Sequence, residues 1–317
     1  MSGLDSVEID YRIVDAARTI EGRIGSVLLG KAAQVRLATA AMLAGEHLLL
    51  NDLPGVGKTT LGAVMAKVVD GEFGRVQGTP DLLPTDLTGS SVFNQATGEW
   101  SYRQGPLMAN VILVDELNRI TPRTQSALLE AMAEGQLTID GTTHPLPAPF
   151  IVVATMNPIG SAGTFPLTAA QLDRFGMTMA LGRADRETER RILQGGGGAK
   201  AVAGVQAVVP ARVMPDLQAI VSRVYVCAPL IDYVLDLCEA LRIYRHLSLR
   251  SAQSMMAVAR ALAVLDGRSY VIPDDIKVLA VPCLAHRLAG EGDRVDVHEA
   301  GVRMVLGDLA VPDVSRQ

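Results

Sequence analysis

The chain is poor in several things that would place it in other protein classes. Aromatic residues make up 4% of its 317 residues, with one Trp, and there are only three Cys. Cys227, Cys238 and Cys283 are odd in number and lie in apolar, helix-like surroundings without metal-ligand spacing. They read as buried thiols of a reducing compartment, not as a disulfide framework or a zinc site. Mean hydropathy is positive, at +0.25, yet no apolar run reaches the roughly 18 residues a membrane span needs. Met1 to Asp10 lack the basic start and apolar centre of a secretory signal, so a cytoplasmic location is expected. An excess of positive charge is missing too. A net charge of −5 argues against wholesale coating of nucleic acid. No internal repeat is visible.

What the chain does have is apolar material, 49% of it, against 20% charged residues. That composition describes a globular protein with a large core, and the length favours two domains over one. The most informative stretch runs from His47 to Leu61. Leu48 to Leu50 form a short buried strand, Pro54, Gly55 and Gly57 forbid regular structure, and Leu61, Val64, Met65 and Val68 return at helical spacing. Strand, glycine-rich turn and helix are the context in which GxxxxGK[ST] becomes a phosphate-binding loop. Pro54, Gly55, Val56, Gly57, Lys58, Thr59 and Thr60 are its expected residues. Backbone N–H groups and the helix N-terminus would face the phosphates. Lys58 would reach the β/γ oxygens of ATP, and the Thr59 hydroxyl would ligate Mg²⁺. Asp52 stands where the strict pattern has its first glycine; its carboxylate must turn away from the phosphates and reads as tolerated but not helpful.

Val111 to Val114 form a second continuous apolar run, ending in Asp115-Glu116. A buried parallel strand is expected there, with both carboxylates at its C-terminal edge, where open α/β sheets bind ligands. Asp115 suits Mg²⁺ and Glu116 suits orienting and deprotonating an attacking water. A third run, Phe150 to Thr155, leads into Asn157 at the same edge; an amide there can position water or a γ-phosphate oxygen, although Asn-Pro is also ordinary turn chemistry. Around these, Val7 to Leu29 and Ala32 to Ala44 read as helices. Val92-Phe93 and Trp100 to Tyr102 flank a hairpin, and Gln136–Ile139 with Thr142–Leu146 form another through Asp140-Gly141. The segment from Val76 to Gly89 carries prolines and Asp/Thr caps but few positions for an unbroken helix or strand. Thr168 to Phe175 reads as a capped helix and Met177 to Leu181 as the last strand. After Gly182 the character becomes helical. The expected domains are therefore an α/β core over 1–182, a parallel sheet flanked by helices, and an all-α domain over 183–317.

In this order the motifs resemble the AAA+ ATPases, and within them the MoxR family. Asp52 to Thr60 is similar to Walker A and Asp115-Glu116 to Walker B. The resemblance gives Asn157 the sensor 1 role, Arg174 of Leu172-Asp173-Arg174-Phe175 the arginine-finger role, and Arg250 of Leu249-Arg250-Ser251 the sensor 2 role, in cis or in trans. Gln77 to Gly89 resembles the helix-2 insertion of that branch, Gln136 to Leu146 its pre-sensor hairpin, and Asp266 to Ile276 its lid. It further implies a homo-oligomeric, commonly hexameric ring and a von Willebrand factor A-type partner protein in maturing or assembling protein substrates. The alternatives are a metal-chelatase motor subunit, a DNA-dependent motor and a non-hydrolysing scaffold. The hairpin from Gln136 to Leu146 contains no Lys, Arg or aromatic residue, which speaks against nucleic acid.

Overall fold

The computed structural model describes residues 11–156, 163–290, 293–294 and 296–313. It opens with two helices, α1 (Tyr11–Val27) and α2 (Ala32–Ala44). The first is amphipathic and buries Ala17, Ile20, Ile24 and Val27. The second is small and apolar nearly all round because it is covered on both sides, by α1 and by a later helix. Gly45 ends it in the left-handed conformation, donating its N–H back to Ala41 and Met42, as helix C-termini commonly do.

Strand β1 (Leu48–Asn51) then enters a five-stranded sheet and hands over to α3 (Lys58–Val68). Next come β2 (Phe73–Gln77), the short helix α4 (Pro84–Thr88), and the hairpin β3 (Gly89–Asn94) with β4 (Glu99–Gln104). Strand β5 (Val111–Asp115) precedes α5 (Pro122–Glu134), and a second hairpin follows from β6 (Gln136–Ile139) and β7 (Thr142–Pro145). Strand β8 (Ile151–Met156), the single-turn α6 (Ala169–Leu172) and β9 (Met177–Met179) complete the sheet. Its order is β2-β5-β8-β1-β9, and every pairing within it is parallel. β5 is buried throughout, and β8 at every position but the last. That is why they read as continuous apolar runs and not as alternating ones.

The remainder is helical: α7 (Arg186–Leu193), α8 (Gly198–Val202), α9 (Met214–Val221), α10 (Ala228–Ala240), α11 (Leu249–Leu265), α12 (Pro273–Leu288) and α13 (Glu299–Asp308). Helix α2 packs on α11, and α12 packs on both α11 and β9. One apolar cluster therefore runs from α1–α3 through the inner face of the sheet into α9–α13. A second fills the opposite face, from Leu49, Ile112 and Val152 to Leu128 and Phe175.

Three expectations need adjusting. The stretch from Val76 to Gly89, where little regular structure is expected, holds the end of an edge strand, β2, which starts at Phe73, and a helical turn, α4. The helix expected over Thr168 to Phe175 is one turn only, although Thr168 caps it as expected, accepting the Gln171 N–H at 3.3 Å. Of the three thiols, Cys227 and Cys283 are buried but Cys238 is half-buried; none is in a disulfide.

Candidate nucleotide site

Gly57 explains why the loop after β1 cannot be built from ordinary residues. Its φ of 107° is left-handed backbone at the N-cap of α3, and a Cβ there would also press on Leu28 at 3.3 Å. The loop therefore turns straight from the sheet into α3, leaving the helix's first N–H groups facing outward, a ready anion site. A cavity of about 370 Å³ opens there, lined by Pro54, Gly55, Gly57, Lys58, Thr59 and Thr60 from the loop and by Asp115, Glu116 and Thr155 from the neighbouring strand ends. Parallel pairing of β1 and β5 with β8 between them is what brings these segments to one edge. Val56 points elsewhere, into an adjoining cavity of about 450 Å³ lined also by Val27, Leu28, Leu29, Ile192 and Leu193. The two cavities share Pro54, Gly55, Gly57 and Thr60.

Each charged side chain of the site has an intramolecular partner. Lys58 Nζ donates to the carbonyls of Asp52 at 2.9 Å and Leu53 at 3.3 Å. Asp115 Oδ2 accepts from Arg75 Nε at 3.1 Å and Nη2 at 2.9 Å, and Oδ1 accepts from the Thr155 hydroxyl at 3.4 Å. Glu116 sits at φ 56°, an uncommon backbone for a residue with a side chain. Its N–H donates to Thr155 Oγ1 at 2.9 Å, and its carboxylate accepts from Arg119 Nη1 at 2.8 Å and Gln77 Nε2 at 3.5 Å. Gly78 makes this crowding possible: a Cβ on it would lie 2.3 Å from the Glu116 carbonyl oxygen.

Asp52 is more useful than its misfit with the motif suggests. Asp52 also lines the 370 Å³ cavity, and its carboxylate accepts the N–H of Gly182 at 3.1 Å and that of Leu181. It thus ties the start of the loop to the chain leaving β9. Sequence reasoning also passed over Arg75 and Gln77, both on the unexpected strand β2. A strand of mixed polarity carrying a lone arginine gives no signal of its own; only its pairing with β5 brings Arg75 beside Asp115.

Arg174 and Arg250 do not line either cavity. Arg174 follows α6, half-buried, with no side-chain partner among the described residues. Arg250 is exposed in the first turn of α11. Both lie on one seam, since Asp173 accepts from Ser248 and Ser251 on either side of Arg250. Asn157 lies outside the described residues.

The site's chemistry is that of a nucleoside triphosphatase, and sequence comparison agrees. The profile of the ATPase family associated with various cellular activities (AAA) matches residues 47–177, and that of the AAA lid domain matches residues 237–300. The chaperone MoxR1 of Mycobacterium tuberculosis is 36% identical over 91% of this chain and 80% of its own. The chain belongs to the MoxR family of AAA ATPases. Another relative, the uncharacterized protein YeaC of Bacillus subtilis, is 42% identical over 91% of this chain and 92% of its own. A crystal structure of a candidate ATPase from Cytophaga hutchinsonii superposes with a TM-score of 0.82 at 31% identity, covering 95% of this chain and 96% of that one.

Proposed function

We propose that this MoxR-family ATPase hydrolyses ATP with Mg²⁺ as a ring-forming machine that remodels partner proteins. The observation that carries the reading is the convergence, at one sheet edge, of the loop residues Lys58, Thr59 and Thr60 with Asp115 and Glu116. Among the described residues no group of three or more His, Cys, Asp or Glu could hold a metal alone. That suits Mg²⁺, which takes one or two protein oxygens and otherwise water and nucleotide phosphates. Thr59 and Asp115 would hold it, and bound there it would neutralise charge on the phosphates. Lys58 binds the β/γ oxygens, Glu116 takes a proton from the attacking water, and Asn157 helps to orient that water. The apolar cavity around Val27, Leu28, Leu29 and Val56 receives the base, since it adjoins the phosphate cavity across the same loop.

Arg174 serves a neighbouring subunit in this reading, and Arg250 with it, because both lie on a seam away from their own chain's cavities. A core over 1–182 and a lid over 183–317 would be the units that move, and a hexamer is the assembly the family suggests. A von Willebrand factor A-type partner would supply the target. The exposed Phe93–Trp100 pair on β3–β4, with ring centroids 5.3 Å apart, offers such a target an apolar contact. No helix among the described residues is long and apolar enough to cross a membrane. Affinity capture with a Glu116→Gln form held in ATP tests the whole reading. Retention of a protein substrate or a von Willebrand-type partner supports it; recovery of nucleic acid instead would replace it with the DNA-motor alternative.

A further inference from the structure

The five residues from Leu172 to Gly176 join α6 to β9, and helices of the C-terminal half hold them at Asp173 and Phe175. Asp173 takes the most contacts. Its Oδ2 accepts from the Ser248 hydroxyl at 2.8 Å and its Oδ1 from that of Ser251 at 3.4 Å, both at the start of α11. Arg287, near the end of α12, sets its Nε 3.0 Å from Asp173 Oδ1, as an ion pair and not an aligned hydrogen bond. Its Nη2 donates to the Asp173 carbonyl at 3.4 Å and to Ser254 Oγ at 3.1 Å. Phe175 is fully buried, and its carbonyl accepts from His286 Nε2 at 3.0 Å. Gly176 lies so close to Glu46 that a Cβ on it would stand 2.1 Å from the carboxylate oxygen. Ser254 closes the set by donating to that same oxygen at 3.1 Å.

Arg174 lies between two anchored neighbours, and its side chain has no partner among the described residues. Arg287 is the strongest of the anchors because its side chain is only 2% exposed. A guanidinium so buried carries a desolvation penalty of several kcal/mol unless it is paired, so its hold on Asp173 has little slack. Asp173 is thereby fixed from the lid side, and Arg174 is the next residue along the chain.

We propose that Arg287 is a positioning residue for Arg174: acting through Asp173, helices α11 and α12 set where the neighbour-facing guanidinium stands. The proposal rests on the reading of Arg174 as a finger that completes an adjacent subunit's site. A consequence is that movement of the C-terminal helices in one subunit shifts the finger offered to the next. Misplacement of such a group by about 1 Å can cost on the order of 10²-fold in rate.

Mixed assemblies separate positioning from simple damage. Lys58→Ala chains donate an intact finger but cannot turn over, and Arg174→Ala chains offer an intact phosphate loop without a finger. Mixing them, with subunit exchange confirmed, should recover ATPase activity. Adding Asp173→Asn to the Lys58→Ala chain should cut that recovery at least tenfold. Adding it to the Arg174→Ala chain should leave recovery at the level of the first mixture, since there the finger comes from a chain with Asp173 intact. Recovery equal in both orders, or equally impaired in both, overturns the positioning role. No recovery in the parent mixture instead removes the trans finger itself, and with it the proposal. If Asp173→Asn chains do not fold, Ser248→Ala removes the 2.8 Å bond from a half-buried position and should show the same asymmetry at smaller size. Arg287→Lys in the finger-donating chain, keeping the charge, should lose less than Asp173→Asn.

Discussion

The Lys58 ammonium donates to two carbonyls of its own loop, and this sets what its loss will do. Reaching β/γ-phosphate oxygens means exchanging neutral acceptors for charged ones, and hydrogen bonds to charged groups contribute about 1.5–3 kcal/mol. Lys58→Ala should therefore weaken equilibrium binding of a fluorescent ATP analogue by at least about tenfold; unchanged affinity would refute the phosphate-loop assignment. Glu116→Gln should behave differently. The amide still accepts from Arg119 but cannot take a proton, so binding persists while turnover falls by roughly 10²–10⁴-fold, the scale of a lost general base. A variant that turns over at the parental rate would reduce Glu116 to a turn residue. At this scale the sequence points to Lys58, Thr59, Asp115 and Glu116 by residue type and spacing, and the fold gathers all four around one cavity. The sequence was read poorly at Asp52, because the Leu181 and Gly182 N–H groups that need its carboxylate lie some 130 residues away along the chain.

Among the elements, β1, β5 and β8 were legible because both of their faces are buried and polar residues come only at their C-terminal ends. β2 was not. It is the sheet's edge strand and buries only Val76, so Phe73-Gly74-Arg75-Val76-Gln77 has neither alternation nor a continuous apolar run. The cost of missing it was Arg75, which pairs with Asp115 across the strand ends. The Arg75 side chain is 52% exposed, so the pair is worth no more than about 1 kcal/mol. That is still enough to compete with Mg²⁺ for the same carboxylate oxygen. Arg75→Met should lower the Mg²⁺ concentration for half-maximal ATPase by up to about fivefold, 1 kcal/mol expressed as a binding ratio. A higher Mg²⁺ requirement would mean that Arg75 assists the metal's site and does not compete for it.

For the molecule as a whole, the seam between the sheet and the C-terminal helices ought to be its acid-sensitive part. Two histidines are buried beside it. His47 Nδ1 accepts the Val152 N–H at 3.1 Å, which leaves Nε2–H to donate to the Met132 carbonyl at 3.3 Å. His286 Nε2 donates to the Phe175 carbonyl. Burial, with the charge of Arg250 acting in the same direction, lowers His47 from 6.5 to about 4. Burial and the adjacent Arg287 lower His286 to about 3. Both imidazoles are therefore neutral in the fold and protonate near 6.5 once it opens, so the unfolded chain binds more protons below that pH. The stability they contribute is complete above pH 6.5 and is lost as pH falls toward 4 for His47 and 3 for His286. One pH unit is worth about 1.4 kcal/mol per group, so the step from pH 6.5 to 5 should remove about 2 kcal/mol for each histidine. Glu46 works against this trend, because burial raises its carboxyl and acid relieves its desolvation. Urea unfolding midpoints measured between pH 7 and 5 should fall for the parent chain. His47→Gln and His286→Gln together should flatten the profile, even though the variant starts less stable. A profile that stays level over that range for the parent chain and is unchanged in slope by the double substitution would show that the fold holds neither imidazole neutral.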